Sequence, residues 1–529
     1  MISWPDLLDL DLSRQPSRKR AVAFHMLGAT AGNVLLMIQG FLLVPLYLHY
    51  LGDRLYGFWL ASGGLLAWLG VLDLGISTLV LQRCGAAYGR RDLAEVGRYF
   101  RAGAMLIAGF AALLLVLALA VSHWVPLWLS VDESWRRLVS GTYMLAALSL
   151  ALGMGNEFAR NFCASVQRAG VPASVETIGS IFSLLVTVGG LLGGLGLWSL
   201  PLGFFVRSTL ILAVNGTYAW RLVRPCGGSW RIEPRVFADF AKLGPAVVCS
   251  RVANGLTRQA EPLLITIFLR PELTVVYTVT QRALAASEFF SNVLIGTTAG
   301  AFSHLFGEKN AVAISGAVRD TGVLVVTISS FISLGYAVGN AGFVQLWVGG
   351  DRFGGQALTT GLALASMAML GSRYLQSLLG ATGDIAYTSY LAAGEGVLRV
   401  GIACALIKWL HLPAFPVAVI LVSLLTASLS WRRLHKIFPS VVQALRGTLP
   451  ILALGIGLVA AATAVSFWLP HGSWLAWGVS VALVAAGLGG LLLIPAPVRA
   501  LVVPRLLRVG CKIQGKLVPL FGPGTLQQK

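Results

Sequence analysis

Residues 102–122 read AGAMLIAGFAALLLVLALAVS, an apolar run with no charged side chain, preceded by Arg98 and Arg101 and followed by His123. Wound as a helix at about 1.5 Å per residue, such a run spans about 30 Å, the thickness of a bilayer's hydrocarbon core. The rest of the chain repeats this pattern. Its 529 residues are 56% hydrophobic and only 12% charged, and the mean hydropathy is +0.78. A soluble chain of this length carries about twice that charged fraction, so soluble multidomain folds are excluded. The 61 Gly have no collagen period, and the 6 Cys, at 84, 163, 226, 249, 404 and 511, have neither disulfide-scaffold nor metal-ligand spacing.

About fourteen spans are expected, near 21–48, 55–82, 102–122, 138–158, 173–195, 198–220, 241–269, 273–304, 319–347, 355–380, 385–408, 411–431, 447–469 and 474–495. The pairs 173–195/198–220 and 385–408/411–431 are separated by so few residues that tight hairpins are expected. The polar stretch before the first span ends in Arg18-Lys19-Arg20, and the apolar run after it is too long for a cleavable signal, so it reads as a retained span.

The net charge of +19 follows the spans. Basic clusters at 14–20, 83–101, 160–168, 221–242, 432–446 and 499–529 fall in one set of loops. The alternate loops hold only Arg54, Arg136, Arg137, Arg270, Arg352 and Lys408. This is the positive-inside pattern, and it places both termini in the cytoplasm. Nucleic-acid binding is not expected.

When the chain is shifted so that Leu51–Leu55 falls on Leu269–Leu273, Tyr88–Asp92 falls on Phe306–Asn310, Arg101 on Arg319 and Gly153 on Gly371. Pro45 and Pro262 miss the register by one residue. Either two apolar stretches match by composition, or six spans are repeated in parallel orientation. On the second reading the fold is an all-α integral membrane protein of two pseudo-symmetric six-helix lobes plus two extra C-terminal helices. Its parts are a cytoplasmic tail (1–20), an N-lobe (21–220), a linker (221–240), a C-lobe (241–431), two further spans (447–495) and a basic tail (496–529).

Five basic residues fall inside spans: Arg207, Arg251, Arg258, Arg282 and Arg399. Each costs about 2.5–3.5 kcal/mol at the centre of a lipid-facing helix, so each is expected to face protein or water. Arg251, Asn254, Arg258 and Glu261 fall within about 80° of one another on a helical wheel. That face either lines a water-filled cavity or contains an Arg258–Glu261 ladder. Glu395 and Arg399, at i and i+4, are either functional or a self-neutralising pair. Gln281, Glu288 and Asn292 share a face in span 8, and His25, Asn33 and Gln39 form a looser one in span 1. Asp73 lies deep in span 2. Glu157 and Arg160 read as an interfacial pair, Glu176 lies near the start of span 5, and Arg207 stands alone.

Arginine stays protonated in a poor dielectric, and its planar fork matches phosphate oxygens. The expected substrate-binding set is therefore Arg207, Arg251, Asn254, Arg258, Arg282 and Arg399, facing an anionic ligand such as a diphosphate. Asp73, Glu261, Glu288 and Glu395 are the expected sites for coupling to H⁺ or Na⁺. The chain contains no G-x-x-x-x-G-K-[ST], H-E-x-x-H or G-x-S-x-G motif, so no enzyme activity, metal or cofactor is expected.

The stretch Val44-Pro45-Leu46-Tyr47-Leu48-His49-Tyr50-Leu51-Gly52-Asp53-Arg54-Leu55-Tyr56-Gly57-Phe58-Trp59-Leu60 resembles the first hairpin of bacterial Wzx-type polysaccharide flippases. Leu72-Asp73-Leu74-Gly75-Ile76 and Tyr88-Gly89-Arg90-Arg91-Asp92 are similar to that family's second span and basic loop. The resemblance is strongest over 40–105 and continues to about residue 430. It implies the multidrug/oligosaccharidyl-lipid/polysaccharide exporter (MOP) superfamily, with lobes opening alternately to each side of the bacterial inner membrane. It also implies an undecaprenyl-diphosphate-linked oligosaccharide substrate moved to the periplasmic leaflet, with membrane lipids around it and glycan polymerase or assembly proteins as partners. The two final spans leave the lipid II flippase branch open. No site residue is implied. The competing functions are a cation or drug antiporter of the same superfamily, for which an acidic cavity is expected, and a membrane glycan polymerase or ligase, for which a large external loop is expected. A non-transporting scaffold for a glycan assembly complex is a further alternative.

Overall fold

A computed structural model describes residues 18–70, 75–227, 260–308, 311–469 and 473–500, together with positions 230, 234, 238 and 255. The protein is an all-α membrane protein. Its helices are α1 (Arg18–Leu69), α2 (Ile76–Gly89), α3 (Leu93–Ser122), α4 (Glu133–Ser165), α5 (Gly170–Leu192), α6 (Ser199–Val223), α7 (Pro271–Glu308), α8 (Ala311–Val348), α9 (Gln356–Ala381), α10 (Ile385–Leu410), α11 (Ala414–Ile437), α12 (Leu449–Ser466) and α13 (Trp474–Leu491). Among the described residues nine helices are both long and apolar enough to cross a membrane. The expected spans at 21–48, 273–304 and 355–380 also fall on helices, and of the span at 55–82 residues 55–69 and 76–82 are helical. Of the seventh, residues 260–268 form a described helix.

Local sequence sets the ends of these helices. Asp92 caps α3 by accepting from the Glu95 amide at 2.9 Å, and Ser473 caps α13 by accepting from the Ala476 amide at 3.2 Å. Pro45 lies inside α1, but the helix breaks seven residues later, where Gly52 takes φ 73°, ψ 169°. α5 and α6 form the expected hairpin, joined through Gly193, Gly194 and a 3₁₀ turn at Gly196–Trp198.

The chain divides into two compact units. The first takes the described residues up to Thr278 together with Ser389–Leu412; the second takes Val279–Thr388 and the described residues from Pro413 onward. These boundaries cut through the expected 241–431 lobe. In the first unit α6 packs on α4 and α5, α4 on α3, α5 on α1, and α2 on α3 and α4. Its core is aromatic at the centre, with Phe100 4.5 Å from Phe162 and 5.2 Å from Phe158 between ring centroids. In the second unit α8 packs on α9, α12 and α13. The Trp477 indole of α13 donates to the Gly339 carbonyl of α8 at 3.0 Å.

Two arginines hold opposite ends of the first unit together. At one end Arg54 pairs with Asp132 at 2.8 Å and with Glu272 at 3.7 Å, and its guanidinium lies 5.7 Å from the Trp135 ring. At the other, the buried Arg101 donates to the Gly227 carbonyl.

Gly57 makes a close approach to backbone: a Cβ there would fall on the Pro271 carbonyl, where α7 begins. A methyl inserted into a filled contact costs about 1–3 kcal/mol. Gly63, on the same helix, faces open space, where Ala gains up to about 1 kcal/mol of helix propensity. Gly57→Ala is therefore expected to lower the thermal unfolding midpoint of the detergent-purified protein, and Gly63→Ala to leave it unchanged or raise it. Scanning fluorimetry of the two variants side by side checks the contact.

Candidate functional site

Two polar clusters lie within the first unit. In the first, four helices supply one side chain or more each. Gln39 of α1 is buried and donates to the Ser180 carbonyl of α5 at 2.8 Å. Arg207 of α6 donates through Nε to the Ser180 hydroxyl at 3.2 Å, and that hydroxyl donates to the Glu176 carbonyl at 2.8 Å. Arg160 of α4 approaches Glu176, Nε to Oε1, at 3.5 Å. One helical turn before Arg160, Asn156 accepts from the fully buried Asn215 of α6 at 2.9 Å. Gly179 lets α5 and α6 approach here, because a Cβ there would strike Ile211.

The charges in this cluster are unevenly matched. Arg160 has Glu176 in contact. Arg207 has a hydroxyl, and among the described residues it makes no ion pair. Two polar atoms, Arg160 Nε and Asn215 Oδ1, are shielded from solvent without a hydrogen bond among the described residues. Glu157 sits beside Asn156 on α4 and has a partner of its own. Ser180 lies ten residues into α5, about 15 Å from its start, so the cluster is at membrane depth. The sequence reading found Arg207 but left it alone, and it took Arg160 for an interfacial residue. The structure brings Arg160, Glu176 and Arg207 together.

The second cluster is a satisfied ion pair. Glu261 accepts from Arg399 of α10 through Oε1 and from the Tyr277 hydroxyl of α7 through Oε2 at 2.8 Å. The side chains of Arg399 and Glu261 are only 14% and 11% exposed. Nearby, the Thr266 and Thr274 hydroxyls share a 2.7 Å hydrogen bond. This corrects the sequence reading of Arg399. Its charge is matched across helices by Glu261, 138 residues away, and not by Glu395 one turn earlier on its own helix. Glu395, one turn earlier on α10, is buried and partnered. Glu261 has both oxygens engaged, which closes it to a cation while the pair holds.

Arg282 lies in the second unit, half-buried on α7. Asp73, Arg251, Asn254 and Arg258 lie outside the described residues, as does the side chain of Glu288. The polar face expected of span 7 is therefore represented by Glu261 alone. Among the described residues no group of His, Cys, Asp and Glu side chains is arranged to hold a metal ion.

Residues 30–188 match the MatE family. No curated protein matches the sequence significantly. Among solved structures, the lipid II flippase MurJ in its inward closed conformation superposes with a TM-score of 0.65 at 11% identity, covering 89% of this chain and 98% of that one. An inward-facing multidrug resistance MATE family transporter of the MOP superfamily gives 0.58 at 12% identity, covering 85% and 99%. A MOP superfamily transporter from Pyrococcus furiosus, noted for the reverse polarity of its binding pocket, gives 0.54 at 11% identity, covering 86% and 98%. At these identities the likeness is one of fold: the chain has the membrane fold shared by MOP superfamily transporters.

Removing one partner of a buried pair strands the other charge and costs about 3–5 kcal/mol, whereas replacing both with apolar groups is often neutral. Glu261→Leu and Arg399→Met are each expected to lower the unfolding midpoint sharply, and the double variant to recover most of the loss. A double-mutant cycle of thermal midpoints checks this. Additive losses would show that the two side chains are not coupled.

Proposed function

We propose that this chain is a flippase. On this reading it carries an undecaprenyl-diphosphate-linked oligosaccharide from the cytoplasmic to the periplasmic leaflet of a bacterial inner membrane. Transport proceeds by alternating access, with both termini cytoplasmic and with coupling to a proton or sodium gradient. The observation that supports the reading best is Arg207, a guanidinium at membrane depth that hydrogen-bonds a neutral hydroxyl and has Arg160 close by. A sugar-diphosphate head cannot cross hydrocarbon, because its charges and hydroxyls lose their hydration. Fixed guanidiniums replace that hydration with charge-assisted hydrogen bonds, while the prenyl tail stays in lipid. The fold-level likeness to the lipid II flippase is in keeping with this reading.

A second reading, export of cationic drugs, draws on the MatE match at 30–188 and on the likeness to MATE transporters. The two readings differ in the charge the site must present. A cation exporter needs a carboxylate free to bind; Glu176 and Glu261 are each in contact with an arginine, and Glu395 is buried and partnered.

The test is deletion of the gene followed by complementation. The flippase reading expects lipid-linked saccharide to accumulate on the cytoplasmic leaflet and surface glycan to fall, with unchanged sensitivity to cationic dyes. Arg207→Ala removes hydrogen bonds to a charged group worth about 1.5–3 kcal/mol, so its complementing activity is expected to fall about 10–100-fold while the protein still inserts in the membrane. Hypersensitivity to cationic dyes with normal surface glycan would select the antiporter instead.

A further inference from the structure

The first unit carries a trough of about 600 Å³ between α3, α4 and α6, lined only by apolar residues. Its floor is made of small side chains, among them Ala108, Ala111, Ala151, Gly155, Gly216 and Ala219. Along α3 it runs from Phe100 to Leu115, about 22 Å at the helical rise. At Leu115 and Leu148 it continues into a shallower groove that also contains Val116, Leu119, Met144 and Leu145. The flanking Val116 and Leu119 are well exposed, so the trough opens on a face suited to lipid.

Small residues in membrane helices normally let neighbouring backbones close on one another. Here α3 and α6 both pack on α4 but barely meet each other, and a strip of hydrocarbon-lined space is left where water has no polar partner. One end of the trough is different in kind. Trp220 and Trp230 close it, with ring centroids 5.6 Å apart. Trp230 returns there after the chain turns at Gly227 (φ 66°), whose carbonyl is held by Arg101. Arg221 and Arg224 sit exposed on the last turn of α6 and just after it, beside Trp220. From Ser199 to Cys226 there is no acidic residue, and Glu95, at the start of α3, is paired with Arg90. Tryptophan and arginine together mark the headgroup level of a bilayer, and arginines at that level attract anionic lipid.

We propose that this trough is a binding site for one anionic phospholipid, with an acyl chain along α3 and α4 and its phosphate beside Arg221 and Arg224. The site is separate from the polar cluster around Arg207. Its lipid completes the surface of the first unit, filling a strip that no side chain fills.

Native mass spectrometry of the full-length protein, released from micelles containing equal amounts of phosphatidylglycerol and phosphatidylcholine, tests the site. The wild type is expected to retain phosphatidylglycerol about tenfold over phosphatidylcholine. Ala108→Phe combined with Ala151→Phe fills the trough and is expected to lower retention of both lipids about fivefold or more. Arg221→Gln combined with Arg224→Gln leaves the trough open and is expected to abolish the preference while chain binding persists. This pair alters only exposed side chains, so it serves as the test if the filled variant does not fold. Unchanged retention in a folded filled variant would overturn the proposal, and so would an unchanged preference in the arginine pair. Undecaprenyl phosphate retained in preference to phosphatidylglycerol would also overturn it, because the occupant would then be a carrier lipid.

Discussion

Hydrocarbon offers no hydrogen bonds, and that single deficiency decides where the polar side chains of this protein sit. Some return to their own helix. Thr142 donates to the Leu138 carbonyl at 2.9 Å and Ser149 to the Leu145 carbonyl at 2.8 Å, adding nothing between helices. Others reach across. Gln39 ties α1 to α5, Asn215 ties α6 to α4, and Ser333 ties α8 to the Ala363 carbonyl of α9 at 3.0 Å. In lipid the apolar surfaces of two helices gain little from meeting, since lipid tails solvate them equally well. The cross-helix hydrogen bonds therefore select which faces meet, and small residues such as Gly57 determine how closely.

The same constraint is met in two ways by charged groups of the first unit. Glu261 and Arg399 neutralise each other, and Tyr277 takes up the remaining carboxylate oxygen. The result is a closed electrostatic unit that draws 260–268, the start of α7 and α10 together. Arg207 is treated differently. A hydroxyl satisfies one donor of a group that has five, and the carboxylate of its neighbourhood contacts Arg160. A half-buried cation at membrane depth, held among the described residues by a neutral hydroxyl, attracts anions. The flippase reading rests on this asymmetry between the two arginines.

Much of the fold was legible because lipid imposes length and polarity on every span. The α5–α6 hairpin, the α10–α11 turn and the two final helices fall where the apolar runs placed them. Pairing was less legible. The sequence offers Arg399 a carboxylate one turn away, Glu395, and offers Glu261 an arginine three residues away, Arg258. The pair that forms joins residues 138 positions apart, and helical spacing carries no information at that range. Arg160 and Glu176 were each visible as charges near span ends, but only the packing of α4 and α5 against α6 brings them to Arg207. Gly179, which lets α6 approach α5 at Ile211, is one glycine among many in apolar spans and gives no signal of its own. The return of Ser389–Leu412 to the first unit was equally hidden, because it is decided by contacts and not by hydropathy.

Small residues give this protein two opposite kinds of surface, and what distinguishes them is the second partner. At Gly203 the absent side chain is replaced by Thr187 and Ser183 of the neighbouring helix, and the space is filled by protein. Along the trough that Ala108, Ala151 and Gly216 line, a space of about 600 Å³ is left open. A vacuum there would forfeit the dispersion contacts of every lining atom, and water would find nothing to bond. The remaining material at that depth is a lipid chain. A trough of this kind is therefore a packing interface whose other half is the bilayer. The tryptophans and arginines at its mouth add a preference for one class of headgroup to what would otherwise be indifferent contact with hydrocarbon.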